Sequence, residues 1–79
     1  MYNPIIISFF IDIEFTDHIK NRLKKRKIKD EEIINAINNP DKSYKLEGKY
    51  YVQKDLGRGK IEIIYEKDKY IKLITVYWI

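Results

Sequence analysis

Residues 16–40 read TDHIKNRLKKRKIKDEEIINAINNP and carry the start and stop signals of two short helices. Thr16 or Asp17 is well placed to cap the first helix, because short polar side chains accept hydrogen bonds from the free N–H groups of a first helical turn. We expect this helix to run to about Lys27. Its apolar side is formed by Ile19 and Leu23.

Ile28 marks the break between the two predicted helices. We expect Asp30 to be the N-cap of the second helix. The two glutamates that follow it support a helix start here, because acidic side chains are favourable at the positive end of a helix dipole. Asn39-Pro40-Asp41 ends this helix, since the residue before a proline avoids the α region. The apolar stripe that faces the core is predicted to consist of Ile33, Ile34 and Ile37.

Strands are predicted on both sides of the helical region. Residues 5–11 form the longest apolar run and predict a buried strand that extends as far as Phe15. After Pro40, turns containing Gly or charged residues separate four further strands, at residues 43–46, 49–56, 60–66 and 70–78. The short connections predict antiparallel hairpins.

The last predicted strand is apolar on both faces. Strict alternation assigns Ile71, Leu73, Thr75 and Tyr77 to one face and Ile74, Val76 and Trp78 to the other. We therefore expect a central strand, with the helices on one side and a second protomer or another protein on the other. The predicted fold class is α+β: an N-terminal strand, two short antiparallel helices and an antiparallel β-meander in a two-layer sandwich.

Composition limits the class of protein. Residues 1–79 predict a single domain without a disulfide or a zinc site, because the chain has no Cys and one His. The apolar run at residues 5–11 is far shorter than the roughly 20 residues of a membrane helix and has no cleavage signal. We expect a cytoplasmic protein with no membrane contact and no cofactor. The high Ile, Lys and Tyr content is typical of a thermophile or of an AT-rich genome.

Residues 18–29 contain eight titratable side chains and no acid. His18, Arg22 and Arg26 recur every four residues, which places an imidazole and two guanidinium groups in one stripe along the flank of the first helix. The net charge of +4 and this basic segment predict a polyanionic partner.

The order and spacing of these residues resemble one catalogued family. The pattern consists of Phe15-Thr16, His18, Arg22, Arg26 and Ile28, the isoleucines of the second helix, Asn39-Pro40, Ile64-Tyr65 and Ile74-Thr75-Val76-Tyr77. It resembles the domain of unknown function 4258 family over about residues 13–78. That family is similar in topology to the RelE/ParE toxins of toxin–antitoxin systems, so the resemblance implies a single RelE/ParE-like domain.

The resemblance to RelE-like toxins implies cleavage of RNA on the ribosome by attack of a 2′-hydroxyl on the adjacent phosphate. His18 would then serve as base or acid, Arg22 and Arg26 would bind the phosphate, and Tyr65 or Tyr77 would stack a base or donate a hydrogen bond. The implied nucleic-acid contacts are Lys20, Arg22, Lys25, Arg26, Lys29 and Arg58. The implied partners are RNA, an acidic antitoxin and a second copy of the chain docked through the sheet.

Structural interpretations of the same residues remain open. His18 is equally suited to capping or to a surface hydrogen bond, and Arg22 and Arg26 to ion pairs with acids elsewhere in the fold. The lysines are typical of a solvated face, the tyrosines of a core or interface, and Gly57-Arg58-Gly59 of a hairpin turn. Three functions stay open: a metal-independent endoribonuclease, which the resemblance favours, a non-catalytic module that binds nucleic acid or protein through its basic helix, and a structural or viral accessory domain.

Overall fold

A computed structural model of the chain describes residues 12–79, which form two helices and a five-stranded sheet. The elements are β1 (Ile13–Glu14), α1 (Asp17–Arg26), α2 (Asp30–Asn38), β2 (Lys42–Leu46), β3 (Lys49–Asp55), β4 (Lys60–Lys67) and β5 (Ile71–Trp78). The α+β class, the element order and the meander are confirmed, and no bound of β2 to β5 differs from its predicted position by more than one residue. The strand predicted over residues 5–11 lies outside the described residues.

Helix α1 begins and ends where its sequence signals predict. The Thr16 side chain accepts a hydrogen bond from the Ile19 N–H at 3.2 Å, which confirms Thr16 as the N-cap. At the other end Lys27 adopts a left-handed conformation with φ of 58°. The N–H of Lys27 donates a hydrogen bond to the Lys24 carbonyl, and the N–H of Ile28 donates one to the Leu23 carbonyl. These two hydrogen bonds define a Schellman motif.

Helix α2 differs from the prediction in two respects. Its N-cap is Lys29 and not Asp30, because the Glu32 carboxylate accepts the Lys29 N–H at 3.0 Å and extends the helix start by one residue. Ile34 was expected in the core but is 39% exposed, since a helix turns by about 100° per residue and rotates Ile34 away from the sheet. The position against the sheet is occupied by Ile33 and Ala36, both fully buried.

The sheet has the strand order β1-β5-β4-β3-β2. The three hairpins pair antiparallel, whereas β1 pairs parallel with β5 through Ile13 and Ile71. Strand β4 is therefore the middle strand, and β5 lies between β4 and β1. The expectation that the last strand is a central strand and not an edge strand is confirmed, because β5 has a neighbour on each side.

A β-bulge in β5 changes which residues share a face. Ile64 pairs with Thr75 and Tyr65 pairs with Leu73, so Ile74 is an extra residue without a partner on β4. Strict alternation is broken at this point. As a result Ile71, Leu73 and Val76 all face the helices and are buried, while Tyr77 lies on the opposite face. The predicted grouping of these residues by face was wrong for this reason.

The core fills the space between the two helices and one face of the sheet. Helix α1 packs on β5 and α2 packs on β3. The core consists of Ile19, Leu23, Ile28, Ile33, Ala36, Val52, Ile61, Ile63, Tyr65, Ile71, Leu73 and Val76. We call the covered side of the sheet the helix face. The other side, the outer face, has no helix packed on it within residues 12–79. Neither α1 nor α2 is long and apolar enough to cross a membrane.

Candidate functional site

The face of α1 that carries His18, Arg22 and Arg26 forms an open depression. Burial of Ile19 and Leu23 against the sheet fixes the rotation of the helix and leaves His18 exposed and the two arginines half-buried. The depression has a volume of about 540 Å³ and is lined by His18, Asn21, Arg22, Lys25 and Arg26. The predicted stripe is therefore assembled as one surface by a single helix.

His18 and Arg22 are in direct contact. The Nε–H of Arg22 donates a hydrogen bond to Nε2 of His18 at 2.9 Å. In this contact Nε2 of His18 is the hydrogen-bond acceptor. His18 does not cap the helix, since the Thr16 side chain does so.

Neither Arg22 nor Arg26 forms an ion pair with an acid among the described residues. The ion pairs of residues 12–79 join Arg58 to Glu32 at 2.6 Å and Lys54 to Asp41 at 3.4 Å. The alternative of structural ion pairs is therefore not observed for the two arginines within this range. Their guanidinium groups are available to an anion at the depression.

Arg58 has a different environment from the other two arginines. Its guanidinium binds both carboxylate oxygens of Glu32, at 2.6 and 2.8 Å, and donates to the Lys27 carbonyl at 2.7 Å. It also lies 5.4 Å from the centroid of the Trp78 ring. The hydrogen bond from Arg58 lowers the pKa of Glu32 from 4.5 to about 2. These contacts join the β3–β4 turn to both helices.

Trp78 supplies a second contact to the end of α1. Its Nε1–H donates to the Arg26 carbonyl at 3.0 Å. Gly59 has a φ of +148°, and a Cβ there would approach the Trp78 ring to 3.0 Å, so this turn position requires glycine. The turn and the last strand together hold the backbone that carries Arg26. The sequence indicated neither contact, because the partners are far apart along the chain.

Tyr65 is a core residue on the helix face. It is 8% exposed, its ring stacks on that of Tyr50 at 5.1 Å, and burial raises the pKa of its hydroxyl. It does not line the depression on α1. The structural interpretation of Tyr65 as part of the core is the one that the fold supports.

Tyr77 lies on the outer face, across the sheet from α1. Its hydroxyl donates to Glu62, which also accepts from Gln53 at 3.0 Å and is only 7% exposed. The hydrogen bond to Glu62 raises the pKa of Tyr77 to about 12. The structure therefore does not bring Tyr77 together with His18. The register of β3, β4 and β5 places Gln53, Glu62 and Tyr77 side by side. This arrangement could not be predicted from the sequence, because the bulge changes the register of β5.

The predicted lysine contacts are distributed over several surfaces. Lys25 lines the depression, whereas Lys20 on α1 and Lys29 at the start of α2 are exposed and do not line it. No group of three or more acid, histidine or cysteine side chains suitable for a metal ion occurs within residues 12–79.

Comparison with known proteins identifies one relationship. Residues 15–78 match the model of a family described as a domain of unknown function (DUF4258), which covers well over half of the chain. No curated protein and no solved structure matches significantly. The similarity to RelE/ParE toxins therefore stays a prediction.

Proposed function

We propose that this chain, which belongs to the domain of unknown function (DUF4258) family, binds RNA at the depression on α1 and cleaves it there. The observation that supports this proposal most directly is the hydrogen bond between Arg22 and His18 within a surface that also exposes Arg26 and Lys25. A proton acceptor and cations next to each other are the groups that RNA cleavage by an internal hydroxyl requires.

Arg22 and Arg26 are suited to hold the phosphate. A guanidinium presents several N–H donors in a planar fork that matches two phosphate oxygens. The two side chains lie one helical turn apart on the same face, so a single phosphate group can contact both. The net charge of +4 adds a long-range attraction to the RNA backbone.

His18 is suited to act as the base. When a phosphate oxygen accepts the Nε–H of Arg22, Nε2 of His18 is released and accepts the proton of the neighbouring 2′-hydroxyl. The 2′-oxygen then forms a bond to phosphorus while the bond from phosphorus to the 5′-oxygen breaks. The leaving 5′-oxygen takes a proton from the Lys25 ammonium group, which lines the same depression. The products are a 2′,3′-cyclic phosphate and a 5′-hydroxyl.

Substitution of His18 tests the proposed chemistry. Translating ribosomes are incubated with wild-type protein, His18→Ala or Lys24→Ala, and new RNA ends are mapped by primer extension. We expect His18→Ala to lose cleavage by about 100-fold or more, as is usual for removal of a general base, with nearly unchanged RNA affinity. Lys24 is exposed on α1 but does not line the depression, so its variant should retain cleavage. Intact RNA with wild-type protein would overturn the enzymatic proposal.

The second candidate function is binding without cleavage. It is favoured by the positions of Tyr65 and Tyr77, since neither lines the depression and no other aromatic ring among residues 12–79 lines it next to His18. Under this proposal α1 binds nucleic acid or an acidic protein, of which an antitoxin is the expected example. Binding that requires Arg22 and Arg26, without any RNA cleavage, would distinguish this function from the first.

A further inference from the structure

We propose that Tyr44, at the edge of the outer face, stacks a nucleobase of single-stranded RNA and so forms a second RNA contact separate from α1. The choice of RNA as the ligand rests on the proposed function. The site itself rests on an aromatic stack that is open at one end and on the lysines around it.

Tyr44 and Tyr51 form a stack that continues across the sheet. The two residues are register partners on β2 and β3, and their rings lie 4.9 Å apart with an angle of 1° between planes. This distance is close to the usual spacing of about 4.8 Å between neighbouring strands. The rings are therefore stacked along the direction that crosses the strands. A third flat ring placed one step beyond β2 would continue the same stack.

The ring of Tyr44 is accessible at that position. β2 is the last strand of the sheet, so no further strand follows it within residues 12–79. Tyr44 is 44% exposed, and Leu46, which points to the same side of the strand, is 53% exposed. One ring face of Tyr44 contacts Tyr51, and no aromatic ring or cation of residues 12–79 lies over the other.

On the helix face of the same strands, the last ring of a comparable stack is covered by a side chain of the protein itself. There Tyr65 and Tyr50 are stacked at 5.1 Å. The stack ends at β2 with Lys45, whose Nζ lies 5.1 Å from the centroid of the Tyr50 ring. The outer face has a tyrosine at the equivalent end and no cation over it among the described residues. An open aromatic surface of this kind suits a planar base.

The charge of the β2–β3 hairpin favours a nucleic acid over a second copy of the chain. Within residues 42–51 the charged side chains are Lys42, Lys45, Lys49 and Glu47, a net charge of +2. Lys42 and Lys49 share the outer face with Tyr44 by alternation along β2 and β3. A stacked base brings its phosphates near these lysines, whereas pairing two β2 edges would bring two positive hairpins together.

The test measures binding of a short fluorescent oligonucleotide RNA by anisotropy, with Tyr44→Leu and Tyr44→Phe as variants. Stacking of one base is worth about 1–3 kcal/mol, so Tyr44→Leu should weaken binding by about 5- to 150-fold. Tyr44→Phe keeps the ring and should bind like wild type. Tyr70→Leu is the matched control, since Tyr70 is 42% exposed and has no stacked partner among the described residues. Thermal unfolding verifies that each variant is folded.

Ring protons of Tyr44 provide an independent measurement, because a stacked base shifts their NMR signals upfield. Such shifts, together with weaker RNA binding by Tyr44→Leu, support the inference. If Arg22→Ala and Arg26→Ala leave RNA binding unchanged at the same time, only the function proposed for α1 fails. Equal binding by Tyr44→Leu and wild type overturns the inference and leaves the α1 proposal standing. Absence of RNA binding, or a doubled mass in sedimentation that Tyr44→Leu abolishes, overturns it as well.

Discussion

At the scale of single residues, the three arginines show that residue type does not define a role. Arg58 was expected to contact a phosphate, but its donors bind Glu32 and the Lys27 carbonyl. Arg22 and Arg26 have no acid partner within residues 12–79 and face an open depression. The partner of Arg58 lies 26 residues away in the sequence, so its contact depends on the turn geometry. We infer that Arg58 positions the end of α1.

The Glu32–Arg58 ion pair predicts a dependence of stability on pH. The folded-state pKa of Glu32 is about 2, below its ordinary value of 4.5, because the carboxylate accepts hydrogen bonds from Arg58. The contribution of the pair is therefore complete above pH 4.5 and is lost as the pH falls towards 2. The free energy of unfolding is measured with urea at pH 6 and at pH 3. It should fall between these two pH values by less in Glu32→Gln than in wild type. Glu31→Gln, at an exposed neighbouring position, should behave like wild type.

At the scale of elements, the C-terminal end of α1 carries backbone strain. Lys27 is exposed and has a φ of 58°, a conformation that costs an L-residue about 1 kcal/mol and glycine very little. Lys27→Gly should therefore raise the free energy of unfolding by about 0.5–1 kcal/mol, measured by urea denaturation. Lys24→Gly, inside the same helix, should lower it by about 1 kcal/mol. A loss of stability in Lys27→Gly would contradict this account of the helix end.

The elements were predictable where a local signal sets their limits. Thr16 and Pro40 placed the outer ends of the helical region correctly because capping and proline geometry act over a few residues. The faces of β5 were not predictable, because the extra residue at Ile74 is marked by no glycine or proline. The spacing of His18 and Arg22 predicted their shared face, whereas the separation of Tyr77 from them follows only from the bulge and the layer order.

At the scale of the whole molecule, the sheet separates two surfaces of different chemistry. The α1 depression lies on the helix side and presents cations with an imidazole, whereas the outer face presents tyrosines and lysines at its β2 edge. Under the two proposals, the domain would bind RNA by electrostatic contacts on one side and by stacking on the other. These two types of contact respond differently to salt, because only phosphate contacts release counterions.

Salt dependence therefore tests whether the α1 depression contacts phosphates. We expect the affinity for single-stranded RNA to fall steeply as the salt concentration rises. The double variant Arg22→Ala, Arg26→Ala should reduce the slope of log K against log salt by about 1–2. Lys24→Ala with Lys69→Ala removes the same charge from exposed positions outside the depression and should change the slope less. Tyr44→Leu should lower the affinity with a smaller change of slope than the arginine double variant, because Lys42 and Lys49 keep their charges. Equal slopes for the two double variants would show that net charge, and not the depression, attracts the RNA.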